Sequence, residues 1–462
     1  MISFDVRTVA AVTGGQIIHN GADVTVQGIS TDSRTLQPGD LFVPLRGERF
    51  DGHDYLTQAV RHGAAACLSE DVVSGLSIPV VQVRDTLQAL GDLAAAVRQG
   101  FAGPVIGITG TSGKTTTKEM LASILTSHGS GLKSAGNFNN LIGVPLTLFG
   151  LCPEHHWAVI EMGMSARGEI ARLARIAAPQ IGIITNVGPA HLENLGGISG
   201  VARAKGELFI HLPAGGAALV NADDPRICQL PVANGVRRIT FGLAMEAQVR
   251  ASRIVAIDGV VRFTLHLPEA EVSVQLPLPG RHNVQNALAA AAAAWVLDVP
   301  AADIAAGLAA FRPCPGRMEL VELSDDLLVL EDSYNANPLS MRAALDALHD
   351  LGRPGRRIAV LGDMLELGPT ARDLHREVGA LVAEQADWLF TLGELAREIA
   401  AGAAKHGLPP ERITMADTVE ELTARLRAIL RPGDRILVKG SRGMRMERVS
   451  ALLRGLTPTP DH

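Results

Sequence analysis

Gly110-Thr-Ser-Gly-Lys-Thr-Thr116 follows an apolar run at 104–109 and opens a helical pattern over 114–126. A strand, a glycine turn and a helix start in that order make an anion site. Backbone N–H groups converge on a phosphate, and the helix dipole favours negative charge there. Gly110, Thr111, Ser112, Gly113 and Thr116 supply the cradle, Lys114 reaches the β- and γ-phosphates, and the Thr115 hydroxyl sits on Mg2+. The strict phosphate-loop pattern has glycine five residues before Gly113, where this chain has Ile108. The elements on each side carry the nucleotide-binding reading in its place.

Working outward, residues 99–311 alternate buried-strand candidates (105–109, 157–161, 181–185, 217–220) with helical patterns (114–126, 168–177, 198–210). Such alternation implies right-handed crossovers and a parallel sheet covered on both faces. Residues 233–276 instead alternate in polarity, as in Val261-Arg-Phe-Thr-Leu-His-Leu267, which predicts an antiparallel strand pair added to that sheet. Phe311-Arg-Pro-Cys-Pro-Gly316 reads as a linker. Beyond it, apolar segments at 327–330, 358–361, 388–392 and 435–438 predict a second doubly wound unit. Before the phosphate loop, short segments at 41–45, 64–68 and 80–83 suggest a small mixed module. The expectation is an α/β chain of three domains: 1–98, a central P-loop parallel-sheet domain at 99–313, and a Rossmann-like domain at 314–462.

Length and composition agree. The 462 residues suit about three domains. With 47% hydrophobic and 19% charged residues the chain can bury substantial cores. A net charge of −6 argues against an extended nucleic-acid-binding face. Asp5 and Arg7 interrupt any signal-peptide-like start, and the apolar run at 287–297 is too short and alanine-rich to span a bilayer. Cys67, Cys152, Cys228 and Cys314 show no metal-type spacing, which suits reduced thiols in a cytoplasmic protein. A monomer is expected by default.

Ligands of doubly wound sheets gather at the carboxyl ends of the strands. Glu161 ends a strand beside the phosphate loop, where an acid can hold Mg2+ or simply face water. His191 lies in the polar loop of Thr185-Asn-Val-Gly-Pro-Ala-His191, as a ligand or a structural hydrogen bonder. Asn137, Asn139 and Asn140 cluster past the first helix of the central region, as turn or ligand contacts. Asn283 and Asn286 precede an alanine-rich helix, where amides either cap the helix or read a nucleotide base. Arg317, just beyond the linker, can clamp a phosphoryl group when domains close. Glu331-Asp-Ser-Tyr-Asn-Ala-Asn-Pro338 follows it.

Taken together these strings resemble the Mur ligases of peptidoglycan synthesis. They run T-G-T-S-G-K-T-T, N-x-N-N, E-M-G, T-N-V-G-x-A-H, A-K-G-E-L, G-x-H-N-x-x-N-A, G-R-M-E and D-S-Y-N-A-N-P, over nearly the whole chain. The last string resembles that of the members adding D-alanyl-D-alanine. The resemblance implies that the first domain holds the UDP-sugar end of the substrate, the second binds ATP, and the third positions the amine. The implied reaction joins D-alanyl-D-alanine to UDP-N-acetylmuramoyl-tripeptide through an acyl phosphate.

By the same resemblance Lys114 neutralises phosphates, Thr115 and Glu161 hold one Mg2+, and His191 helps hold a second. Lys205 matches the lysine carbamylated in this family, a modification that requires a neutral amine. Asn283 and Asn286 match adenine-side amides, and Arg317 a phosphate contact. Asp332 and Asn335 fall on the nucleotide side, Tyr334 and Asn337 on the amine side. Ser30, Asp32, Ser33, Arg34 and Arg46 match uridine-binding strings, and Asn137, Asn139 and Asn140 would face the muramoyl-peptide. Lys439 and Ser441 match a K-G-S turn assigned to the amine substrate. Alternatives are a sister ligase adding one amino acid, a folylpolyglutamate synthase-like ligase, and a P-loop switch protein that makes no bond. The last leaves Glu161, His191 and Lys205 without a role.

Overall fold

The structure is a computed structural model that describes residues 4–455 except 19, 20, 22, 49, 191, 324, 325 and 352–354. The described residues form three sheet-centred units in chain order. In the first, β1 (Phe4–Asp5) leads into α1 (Val6–Thr13), where the Asp5 carboxylate caps the helix by accepting from Thr8 N at 2.6 Å. Next come β2 (Gln16–Ile17), β3 (Thr25–Val26), β4 (Gly28–Ser30) and β5 (Asp40–Phe42). They are followed by α2 (Leu56–Arg61), β6 (Ala66–Ser69), β7 (Val80–Gln82) and α3 (Thr86–Gln99). β1 pairs with β3, and the other strands lie in the order β2-β7-β6-β5-β4 with β2 antiparallel. Leu90 and Leu93 of α3 pack on Leu41, Leu68 and Val81 of this sheet.

The second unit begins with β8 (Val105–Thr109), α4 (Lys114–Leu125), β9 (Gly131–Lys133), α5 (Gly143–Leu148) and β10 (Trp157–Glu161). It continues with α6 (Glu169–Ala177), β11 (Ile181–Ile184), α7 (Leu192–Leu195), α8 (Ile198–Ile210) and β12 (Ala217–Asn221). After α9 (Pro225–Cys228) come β13 (Arg237–Gly242), β14 (Val249–Ile257), β15 (Val260–Leu267) and β16 (Ala270–Leu276). α10 (Arg281–Val296) and α11 (Ala301–Ala310) close it. The nine strands lie in the order β16-β15-β14-β13-β12-β11-β8-β10-β9, parallel from β14 through β9.

Side chains of β8 and β10 alternate between two cores. Ile106, Ile108 and Val159 meet α4, α10 and α11, whereas Val105, Ala158 and Ile160 meet α6 and α8. Ile108, in the place of the first phosphate-loop glycine, is therefore a core residue of β8. Ala287 and the six alanines at 289–294 are fully buried, so α10 is packed all round.

The antiparallel pair expected over 233–276 proves to be three antiparallel strands, and β13 joins the parallel set. A register shift between Ser252 and Val255, with Arg253 at φ 52°, breaks the alternation of β14 and hides it from a period-two reading.

Residues 311–316 carry no helix or strand. The third unit then runs β17 (Glu319–Glu322), β18 (Leu328–Asp332), α12 (Pro338–Asp350), β19 (Arg357–Gly362) and α13 (Ala371–Gln385). It ends with β20 (Trp388–Leu392), α14 (Ala396–Lys405), β21 (Ile413–Ala416), α15 (Val419–Ile429), β22 (Arg435–Lys439) and α16 (Glu447–Leu453). Its strand order is β17-β18-β22-β19-β20-β21, with β17 alone antiparallel. α12, α13 and α14 cover one face, α15 and α16 the other.

Candidate functional site

α4 and α6 leave adjacent strands β8 and β10 for opposite faces, which opens a crevice at the carboxyl ends of those strands. The loop at 110–116 lies there. Gly113 is the N-cap of α4 at φ 78°, and no side chain caps this helix, unlike α1, α3, α12 and α15. Its first N–H groups are thus left for an anion. The loop is braced from β11. Asn186 Oδ1 accepts from Ser112 N at 2.9 Å, while Thr185 Oγ1 and Asn186 Nδ2 donate to Ser112 O at 2.6 and 3.0 Å. A Cβ on Gly110 would fall 1.8 Å from Thr185 Oγ1, so only glycine permits this approach. Lys114 Nζ donates to Gly110 O at 3.0 Å, across the mouth of the loop.

Glu161 is buried at the tip of β10. Its Oε2 accepts from Thr115 Oγ1 at 2.7 Å and its Oε1 from Asn139 Nδ2 at 2.9 Å. Burial alone would raise its carboxyl. The charges of Lys114 and Lys118, with the two hydrogen bonds, outweigh that and hold it below the usual glutamate range. Hydroxyl and carboxylate oxygens side by side are the hard donors Mg2+ takes when phosphates supply the rest, so these residues fit that ion. Lys205 is buried, and among the described residues no hydrogen bond or ion pair holds its amine. Burial, then the charge of Lys114, pushes its pKa well below the lysine range. Lys114 is lowered chiefly by burial and further by Arg317, with Glu161 opposing.

On the far side, Asn286 Nδ2 donates to Asn283 Oδ1 at 3.0 Å, and Asn283 Nδ2 to Pro279 O at 2.7 Å. The third unit closes the space. Asn337 caps α12 and also donates to Ser112 Oγ at 3.2 Å. Arg317 stacks over the Tyr334 ring at 3.9 Å. Lys439 is buried and pairs with Asp332, while also donating to Asn335 O at 2.9 Å.

One cleft of about 980 Å³ gathers these groups. It is lined by the whole loop 110–116, by Asn137, Asn139, Asn140, Glu161 and Lys205, and by Asn283, Asn286 and Arg317. Asp332, Tyr334, Asn335, Asn337 and Lys439 also line it. Ser441 is buried beside the cleft, with its hydroxyl toward Ala336 O. His191 lies outside the described residues.

Of the first unit Leu87 reaches the cleft, but the expected residues Ser30, Asp32, Ser33, Arg34 and Arg46 do not line it. Asp32 and Arg34 pair with each other at 2.7 Å, Ser30 Oγ donates to Asp32 O, and Ser33 lies against Gln58. Arg46 is held by Asp51, Glu70 and Asp71. Two acids that the motif reading passed over, Asp223 and Asp224, also line the cleft after β12, with Gln285 donating to Asp223 Oδ2 at 2.7 Å. The strand-end rule that singled out Glu161 would have found them, since they follow the buried run 217–221. Lys118 is a second omission: it donates to Ser134 O at 2.6 Å and sits 3.8 Å from Glu161 Oε2.

Comparison with known proteins covers most of the chain. Residues 25–98 match the model "Mur ligase family, catalytic domain", 108–294 "Mur ligase middle domain", and 316–442 "Mur ligase, glutamate ligase domain". The UDP-N-acetylmuramoyl-tripeptide--D-alanyl-D-alanine ligase of Escherichia coli K12 is 41% identical over 454 residues, covering 97% of this chain and 98% of that protein. Among solved structures, MurF from Acinetobacter baumannii superposes with a TM-score of 0.91 at 35% identity, over 98% of this chain and 99% of that one. The MurF ligase of Thermotoga maritima in complex with ADP gives 0.84 at 28% identity, over 93% and 97%.

Proposed function

The chain belongs to the Mur ligase family, and on that premise we propose that it joins D-alanyl-D-alanine to UDP-N-acetylmuramoyl-tripeptide with conversion of ATP to ADP and phosphate. One observation carries the reading. A single cleft brings the uncapped start of α4, Glu161 and Lys205 from the second unit together with Arg317, Asp332 and Tyr334 from the third. The product is the UDP-N-acetylmuramoyl-pentapeptide of peptidoglycan precursor synthesis.

A carboxylate is a poor electrophile, so the tripeptide carboxylate first takes the γ-phosphoryl group of ATP, releasing ADP. The dipeptide amine then attacks the acyl carbon and expels phosphate. The first step brings two anions together, and cations in a water-poor site offset their repulsion. Lys114 and Arg317 supply positive charge at the loop, and the N–H groups of α4 orient the phosphates. Thr115 and Glu161 would hold Mg2+, which would neutralise phosphate charge when bound. Asn283 and Asn286 take the adenine side, with Asp332 and Asn335 also toward the nucleotide. Asn137, Asn139 and Asn140 face the muramoyl-peptide. The uridine end falls to residues 1–98 through Ser30, Asp32, Ser33, Arg34 and Arg46, ATP to 99–313, and the amine to 314–462.

Lys205 carries a carbamate in this reading. A neutral lysine amine adds carbon dioxide and loses a proton, and the lowered pKa of this buried side chain favours the neutral form. His191 would support a second metal ion. No helix among the described residues is long and apolar enough to cross a membrane. ATP and a UDP-linked acceptor place the reaction in the cytoplasm, and one chain supplies every group named, which suits a monomer.

The test is ATP-dependent phosphate release with each acceptor alone and with both. Release only with both, and a product heavier by the dipeptide, is expected. Turnover with a shorter UDP-muramoyl acceptor and a single amino acid would move the chain to a sister activity. Nucleotide binding without substrate-dependent release would favour a switch protein.

A further inference from the structure

The antiparallel extension of the second sheet carries a side-chain cluster of its own, away from the cleft. Along β14, β15 and β16, Ala251, Leu265 and Val274 point into the core. Side chains alternate across a strand, so Ser252, His266 and Glu271 stand on the opposite, solvent-facing side. The register sets Arg250 opposite His266, and His266 opposite Glu271. Ser252 Oγ lies 2.6 Å from His266 Nε2, and His266 Nδ1 lies 2.7 Å from Glu271 Oε1. None of these residues lines the cleft.

The direction of the two bonds follows from their chemistry. A carboxylate only accepts, so Nδ1 carries the proton of the neutral ring, Nε2 presents its lone pair, and the Ser252 hydroxyl donates. Nucleophile, base and orienting acid in that order are what acyl-transfer sites share, whatever fold carries them. Two neighbours add to the cluster. Arg250 has no hydrogen bond or ion pair among the described residues, and as a directly opposed pair its Cβ lies about 5 Å from that of His266. The strand leaves its regular register just after Ser252, with Arg253 and Ile254 unmatched on β15 and Arg253 at φ 52°. Such a break turns a side chain out of the pleat.

We propose that Ser252 is a reactive nucleophile that takes an acyl group from small activated acyl compounds, with His266 as its base, Glu271 as the positioning residue behind the ring and Arg250 as the cation beside the developing oxyanion. Ser252 Oγ attacks the acyl carbon and passes its proton to His266 Nε2. The tetrahedral oxyanion collapses, the leaving group departs as an anion, and the imidazolium returns its proton to water. Hydrolysis of the acyl-serine repeats the sequence with water as nucleophile, releasing the carboxylic acid and restoring the hydroxyl. A guanidinium that nothing else neutralises lowers the cost of the oxyanion. The face is open and not concave, which suits small donors and slow turnover.

The experiment is incubation of the full chain with p-nitrophenyl acetate, following phenolate release and mapping the acetyl group by peptide mass spectrometry. The acetyl group should sit on Ser252 ahead of every other serine. Ser252→Ala should lose it, and His266→Gln should slow acetylation about 100-fold, the usual worth of a general base. Glu271→Gln should slow it as well, Glu271→Asp should recover part of the rate, and the urea unfolding midpoints of these variants should stay at the wild-type value. Acetyl groups scattered over lysines with no preference for Ser252, or wild-type rates in His266→Gln, would overturn the assignment. The wild-type map decides the site even where a variant folds poorly, and the ligase reading above stands or falls separately.

Discussion

Replacing Gly113 with alanine should damage both stability and nucleotide binding, and the structure separates the two contributions. At φ 78° an L-residue costs about 1–2 kcal/mol through its Cβ and carbonyl contacts. The added Cβ would also stand 2.2 Å from Asn286 Oδ1 and 3.0 Å from its Cγ. Asn286 is buried and held by Asn283, so turning it aside leaves polar groups unpaired at about 1–3 kcal/mol. Together these predict a loss of about 2–5 kcal/mol. Gly136 is the control, since at φ 47° it has nothing within 4 Å of a built Cβ, so its alanine variant should show only the backbone part. Urea unfolding of both variants gives the difference, and calorimetric titration with ADP gives the affinity, which should fall at least tenfold in Gly113→Ala alone. Equal destabilisation of the two variants with unchanged ADP affinity would refute the reasoning.

Three further outcomes follow from the same geometry. Lys114→Ala should abolish turnover while the far-UV circular dichroism and the unfolding midpoint stay close to wild type; substantial residual phosphate release would remove this amine from the reaction. Lys205→Ala should lose activity and recover part of it when a small carboxylate is added, and full activity without rescue would exclude the carbamate. His282, in the cleft, is pushed down to about 4, first by burial and then by Lys439, with Asp332 and Asp346 opposing. Because the unfolded chain then binds a proton that the folded one refuses, stability should fall as pH drops from 6.5 towards 4. The loss should be about 2 kcal/mol between pH 7 and 5, and urea unfolding of His282→Gln should lack that slope.

Much of this architecture is legible in the residues because the buried strands speak plainly. The runs 105–109, 157–161 and 388–392 coincide with β8, β10 and β20, whose residues are almost all buried. β17 and β21 escaped because they are edge strands, short and only partly buried, with no continuous apolar run. The phosphate loop was readable despite Ile108, since its glycines at 110 and 113 are the ones the backbone requires. Asp223 and Asp224 directly follow the buried strand β12 and are open to the same strand-end reading as Glu161. Lys118 is not, because it gains its place only when chain segments distant in sequence meet, at Ser134 and Glu161. Likewise, nothing in the string around Arg46 announces that three carboxylates surround it.

The buried alanines of α10 bear on how the cleft can change. Methyl groups have no rotamers to exchange, so this helix has little side-chain freedom with which to absorb an insult. A larger residue anywhere along 289–294 would have to be accommodated by sliding the whole rod. Asn283 and Asn286, at its head, would then be displaced without being mutated. The alanine shaft of α10 should therefore resist almost any substitution by a bulkier side chain.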